Sequence, residues 1–130
     1  MTSPLTLVQQ AYAAFGSGDI PGLLALLSPD VRWEFAGDSK APYTGRFSGH
    51  GQVAEWFQCV AQADGIQAFE PREFLEGPDH VTVLGWERTQ ALPGGRVFEC
   101  EWVHVWQARD GRLTRFWGML DTEAAVRARP

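Results

Sequence analysis

Long apolar runs, lysine and cysteine are what this chain has least of. No apolar stretch approaches the roughly 20 residues of a membrane-spanning helix, so no role within a membrane is expected. Lys40 is the single lysine among eleven basic residues, which face sixteen acidic ones for a net charge of −5. A nucleic-acid binder needs a basic surface, and this balance speaks against one. Cys59 and Cys100 are the only cysteines. They form no CxxC pair and read as reduced thiols of a cytoplasmic chain. The opening MTSPLTLVQQ lacks the charged start and apolar core of a signal peptide. No His, Cys, Asp or Glu grouping has metal-ligand spacing, and His50 and His80 stand apart, so no metal is expected. Neither a G-x-S-x-G elbow, a phosphate loop nor a dinucleotide fingerprint occurs, and no cofactor is implied.

Aromatic residues are what the chain has in excess: six Trp, eight Phe and two Tyr in 130 residues. Each buried ring removes about 150–250 Å² from water, so these sixteen must line a core, a pocket or an interface. The length suits one domain, residues 1–130, with a real core.

Apolar periodicity predicts a helix over residues 4–16, with Ser3 as its cap and Pro4 in its first turn. Gly16-Ser17-Gly18 stops it, and Asp19 caps a short second helix running to Leu27. A Ser28-Pro29-Asp30 turn then leads into a strand over Val31–Phe35. Residues 36–49 read as loop, and His50 to Ala63 as a third helix with Val53, Trp56, Phe57 and Val60 on one face. From there the pattern is β: Ile66–Leu75, His80–Leu92, Arg96–Ala108 and Arg112–Leu120, separated by GPD, PGG and RDG turns. Asp121 caps a last short helical segment to Ala128. Helices first and strands afterwards give an α+β fold.

The ordered segments FGSGDIPGLLALLSPDVRWEF, APYTGRFSGHGQVAEWF, EWVHVWQARDGRLTRF and LDTEAAVRA resemble the SnoaL-like, ketosteroid-isomerase-related branch of the nuclear-transport-factor-2-like superfamily. The resemblance covers most of the chain. It implies a cystatin-like cone in which a strongly bent antiparallel sheet packs on three N-terminal helices around an apolar pocket. It also implies a homodimer formed through the outer sheet face. Isomerases, cyclases, hydrolases and non-enzymes share this fold.

Matching strands to the family pattern puts Trp33 and Phe35 inward. A hairpin about Pro93-Gly94-Gly95 that pairs Trp86 with Val103, Arg88 with Glu101 and Gln90 with Glu99 adds these residues to the pocket side. Phe116, Gly118 and Leu120 lie beside them, and Trp56 on the third helix. The expected ligand-binding residues are thus Trp33, Phe35, Trp56, Trp86, Arg88, Glu101, Val103, Phe116 and Leu120. The opposite face would carry Cys100, Trp102, His104, Trp106, Trp117 and Met119, too much apolar surface for a monomer, and so a second copy is expected there.

The positions that hold catalytic groups in the family are altered. The steroid isomerases' base and two oxyanion donors fall on Phe35, Ala11 and Val103, which carry no titratable group. The epoxide hydrolases' Arg-x-Asp and last-strand Asp fall on Arg88, Gln90 and Gly118. The cyclases' acid–base Asp also falls on Gly118, and the nearest carboxylate, Asp121, reads as a helix cap. Arg88 with Glu101 is the remaining pair able to polarise an oxygen and move a proton. Two functions stay open: a protein that binds a small apolar molecule and carries out isomerase- or cyclase-type acid–base chemistry, or a ligand-binding or structural dimer without turnover.

Overall fold

A computed structural model describes residues 2–130. Helix α1 (Pro4–Gly16) begins where Ser3 accepts a bond from the Thr6 amide at 3.2 Å, and buries Leu7, Val8 and Ala11. It ends at Gly16 with Ser17 as its cap, and Gly18 beyond it has a φ of 75°, in the left-handed region open to glycine. Asp19 caps α2 (Ile20–Leu24) by accepting from the Gly22 amide. This helix stops three residues short of the sequence expectation because Leu27 already pairs with Leu113 in the sheet. Strand β1 (Leu27–Ala36) runs through the expected turn. Pro29 has no amide to donate, and the pairing of β1 shifts register between Leu27 and Arg32.

The segment read as loop contains a short strand, β2 (Gly45–Ser48), antiparallel to β1. Helix α3 (Gly49–Ala63) follows and buries Val53, Trp56 and Phe57. Four long strands complete the sheet: β3 (Asp64–Glu76), β4 (His80–Ala91), β5 (Val97–Arg109) and β6 (Arg112–Leu120). Helix α4 (Thr122–Arg127) closes the chain, with the Asp121 carboxylate accepting from the Ala124 amide at 3.1 Å. The strand order is β2-β1-β6-β5-β4-β3. The sheet is α+β in class but mixed rather than wholly antiparallel, because β1 lies parallel to β6.

One bulge decides which side chains face the helices. The Asp110-Gly111 turn has both φ angles positive, 54° and 76°, the geometry of a tight two-residue hairpin. It pairs Arg109 with Arg112 and Ala108 with Leu113. Continued unbroken, that register would place Val105 opposite Phe116. Thr114 is instead left over, its hydroxyl donating to the Gln107 carbonyl at 3.3 Å, and Gln107 pairs with Arg115. A one-residue slip sends every later side chain to the other face. Trp102, His104 and Trp106 therefore stand opposite Leu120, Gly118 and Phe116, on the concave side.

The β4–β5 register differs as well. Trp86 pairs with Glu101, Arg88 with Glu99 and Gln90 with Val97, and these residues lie on the convex face. Trp86, Arg88, Glu101 and Val103 are thus corrected from pocket to outer face, and Cys100, Trp102, His104 and Trp106 from outer face to core. Of the tryptophans that argued for a second copy, Trp117 alone remains outside, its indole donating to Glu34 at 2.7 Å.

Trp102 is 2% exposed. Its indole rests on Gly85, where a Cβ would come within 2.1 Å of the ring, and Phe69 stacks on it at 4.8 Å. Gly85→Ala is expected to lower stability by about 1–3 kcal/mol through overpacking, read from the urea midpoint. An unchanged midpoint would mean that Trp102 does not sit there.

Candidate functional site

The concave face of the sheet and helices α1 and α3 enclose an aromatic cavity. Trp33 and Phe35 from β1, Phe116 and Leu120 from β6, Trp106 and His104 from β5 and Glu87 from β4 line it, with Tyr12, Trp56 and Phe57 on the helices. The space left between these side chains is small, about 70 Å³, and opens toward solvent on one side. The rings pack edge to face and in stacks: Trp33 lies 4.1 Å from Phe116, and Trp56 5.4 Å from Trp33. Aromatic neighbours at these separations prefer such arrangements, so the walls are firm.

Polar groups stand at three places in this apolar lining. His104 is stacked on Trp102 at 4.0 Å. Its Nδ1 is 2.7 Å from the Tyr12 hydroxyl, which also accepts from the Trp106 indole at 3.0 Å. The hydroxyl keeps a proton and a second lone pair, so it can meet either tautomer of His104. Burial pushes the His104 pKa down to about 3, so at neutral pH the ring is uncharged. Burial likewise raises the Tyr12 phenol, against a smaller lowering by the Trp106 bond.

Glu87 is the second group, 4% exposed. Its carboxylate accepts from the Thr89 hydroxyl at 2.5 Å, and among the described residues no cation pairs with it. Desolvation, less the Thr89 bond and plus the nearby charge of Asp64, pushes its pKa up to about 7. A buried carboxylic acid poised at neutrality can both give and take a proton. His104 faces Val83 across the β4–β5 ladder, four residues from Glu87. At about 3.3 Å per residue their backbones are ~13 Å apart along the strand, so they act on opposite ends of the cavity.

Tyr43 is the third, brought in by the loop between β1 and β2. Its carbonyl accepts from the Trp56 indole at 2.8 Å, and its ring meets Phe35 edge-on at 5.4 Å. Near it lies Arg129, in the segment that follows α4. Arg129 donates to Asp64 at 2.6 Å and to the Ala63 carbonyl at 3.2 Å, and its guanidinium lies 5.8 Å from the centre of the Tyr43 ring. Burial raises the Asp64 carboxyl while Arg129 lowers it. Cys100, opposite Glu87 in the ladder, is pushed up to about 12 chiefly by burial and then by Glu87, and its thiol stays protonated. Among the described residues no three His, Cys, Asp or Glu side chains are grouped to hold a metal ion. No helix there is long and apolar enough to cross a membrane.

Trp33, Phe35, Trp56, Phe116 and Leu120 are in the lining, whereas Trp86, Arg88, Glu101 and Val103 are outside it. Arg88 is 3.9 Å from Glu99 rather than paired with Glu101, half exposed, and bonded to Gln67. Trp86 carries the Arg72 guanidinium at 5.1 Å. Arg88→Ala and Glu101→Gln are each expected to change stability by less than about 0.5 kcal/mol and to leave ligand binding unchanged in a calorimetric titration; lost binding in either would contradict the face assignment. Sequence reasoning missed Glu87 and placed His104 on the outer face. The available signal was on β5, where Phe98, Cys100, Trp102 and Trp106 alternate with Glu99 and Glu101 and mark the even-numbered face as buried.

No curated protein matches the chain. Solved structures do. An NTF2-like protein of unknown function from Burkholderia pseudomallei K96243 is 35% identical, with 98% of each chain covered and a TM-score of 0.85. An NTF2-like protein from Burkholderia xenovorans LB400 is 31% identical over 95% of this chain and 93% of that one, also at 0.85. TerC, co-crystallized with polyporic acid, is 33% identical over 92% of each chain at 0.83. Residues 8–116 match the family model of the SnoaL-like domain, and the chain belongs to that family within the NTF2-like fold.

Proposed function

We propose that the protein takes a small, largely apolar, ring-bearing molecule into the aromatic cavity and moves a proton on it with Glu87. The observation that carries this reading is the Glu87 carboxyl, 4% exposed, lining a cavity of rings with no cation paired to it among the described residues. An unpaired buried carboxyl costs stability, and it is useful where its proton is transferred. The polyporic acid seen with TerC supports a ligand of this general kind. His104 and Tyr12, neutral and hydrogen-bonded to each other, orient an oxygen of the ligand rather than carry charge.

Binding without turnover is the second reading. It draws on Phe35, Ala11 and Gly118, where the family's enzymes of known chemistry keep acids or hydroxyls and this chain has none. A titration of tryptophan fluorescence with polyporic acid tests the part common to both. Saturable quenching is expected in the wild type and in Glu87→Gln alike, because the amide keeps the shape of the site. Quenching that never saturates would overturn the cavity as a ligand site. Turnover that survives in Glu87→Gln would overturn the role of Glu87.

A further inference from the structure

The Tyr43 hydroxyl is a buried polar group with no partner: the residue is 2% exposed, its oxygen is out of contact with solvent and no donor or acceptor reaches it. Its neighbours make that omission specific. The Asp64 carboxylate is engaged by Arg129, and Glu87 by Thr89. The Tyr43 carbonyl is taken by the Trp56 indole. The hydroxyl is left over, and it belongs to a residue lining the cavity. The Trp33 indole N–H, in the same lining, is also buried without a partner. Native proteins leave few such groups, and each asks for an explanation. The Ser28 hydroxyl and the Trp102 indole are in the same condition among the described residues, but only Tyr43 and Trp33 line the cavity.

We infer that Tyr43, beside Glu87 and the Asp64–Arg129 pair, forms a hydrogen-bonding subsite for a neutral hydroxyl on the ring of the ligand, so that the substrate class is phenolic or enolic. This rests on the reading that the cavity takes a ring-bearing molecule. A hydroxyl is selected because it both gives and accepts a bond. It accepts from the Tyr43 O–H and gives to a carboxyl oxygen of Glu87. An anionic carboxylate would meet the carboxyls of Asp64 and Glu87 and is disfavoured by like charge. A methyl group in the same place would leave Tyr43 unsatisfied. The ring bearing the hydroxyl then lies among Phe35, Trp56 and Trp33, with the rest of the ligand toward the mouth.

Titrations of ¹⁵N-labelled full-length protein with p-cresol and with p-xylene, which differ by a hydroxyl in place of a methyl, test the subsite. In the wild type p-cresol is expected to bind about tenfold more tightly, although transfer to an apolar pocket alone would favour p-xylene. In Tyr43→Phe that preference falls to none or reverses, while p-xylene binds as before. Tyr43→Phe is expected to be at least as stable as the wild type, since the hydroxyl it removes bonds to nothing in the free protein. Equal affinities in the wild type, or a preference that survives Tyr43→Phe, would overturn the subsite while leaving the cavity reading intact. Binding of neither probe would overturn both. A clear loss of stability in Tyr43→Phe would show that a trapped water already serves the hydroxyl, and would overturn the inference also.

Discussion

Glu87→Gln is expected to stabilise the folded protein by about 3 kcal/mol at pH 8 and to leave it unchanged at pH 4. The wild-type carboxyl ionises near 4.5 when the chain is unfolded and near 7 when it is folded. Between those values the folded state holds a proton that the unfolded state has released, so stability falls as pH rises. Each pH unit is worth roughly 1.4 kcal/mol, and the climb from 4.5 to about 7 therefore amounts to about 3 kcal/mol once pH exceeds 7. Gln at this position keeps the size of the group, still accepts from Thr89, and carries no charge to desolvate. On a substrate that is turned over, the same change removes the proton carrier and lowers the rate by about 10² or more with affinity retained. Stability gained together with activity lost is the mark of a strained functional group. Urea unfolding at the two pH values separates this from a passive carboxylate, for which the variant would gain nothing at pH 8.

The second large effect lies at the opposite end of the cavity and has the opposite sign. His104 is fully enclosed, and burial takes its pKa from 6.5 down to about 3. Below pH 6.5 the unfolded chain gains a proton that the folded chain refuses, so stability is lost as pH falls toward 3. The loss reaches about 5 kcal/mol at roughly 1.4 kcal/mol per unit, a third or more of what holds an ordinary domain together. From 4.5 to 6.5 this slope and that of Glu87 oppose each other, and the wild type is expected to show a plateau there. Glu87→Gln exposes the His104 limb, so that variant loses stability steadily below pH 6.5. His104→Phe exposes the Glu87 limb, so that variant loses stability as pH rises from 4.5 to 7. A constant offset from the lost Tyr12 bond does not alter either slope. Wild type and both variants with parallel pH profiles would contradict the placement of the two side chains.

Much of the fold was legible in the sequence because its signals are local. Ser3, Asp19 and Asp121 are caps that each bind an amide three residues on, and the Arg-Asp-Gly turn announces its hairpin by composition alone. The four residues of β2 were not legible. Their strand state comes from pairing with β1, and the surrounding Gly, Pro and Ser favour a loop. The pocket was half legible. Trp33, Phe35 and Phe116 alternate cleanly and face inward. On β4, Leu84 and Trp86 on one face compete with Val81 and Val83 on the other, so alternation does not choose. The choice is made at Thr114, by a bulge that no composition rule marks, and it carries His104 and Glu87 inward together. A buried glutamate with a functional proton also looks, in a sequence, like any surface acid.

The most direct measurement is the titration of the Glu87 side-chain carboxyl carbon by NMR in the wild-type protein. A midpoint close to pH 7, moving when p-cresol is bound, is expected. A midpoint near 4.5, unmoved by p-cresol, would make Glu87 an ordinary solvated carboxylate and contradict the account.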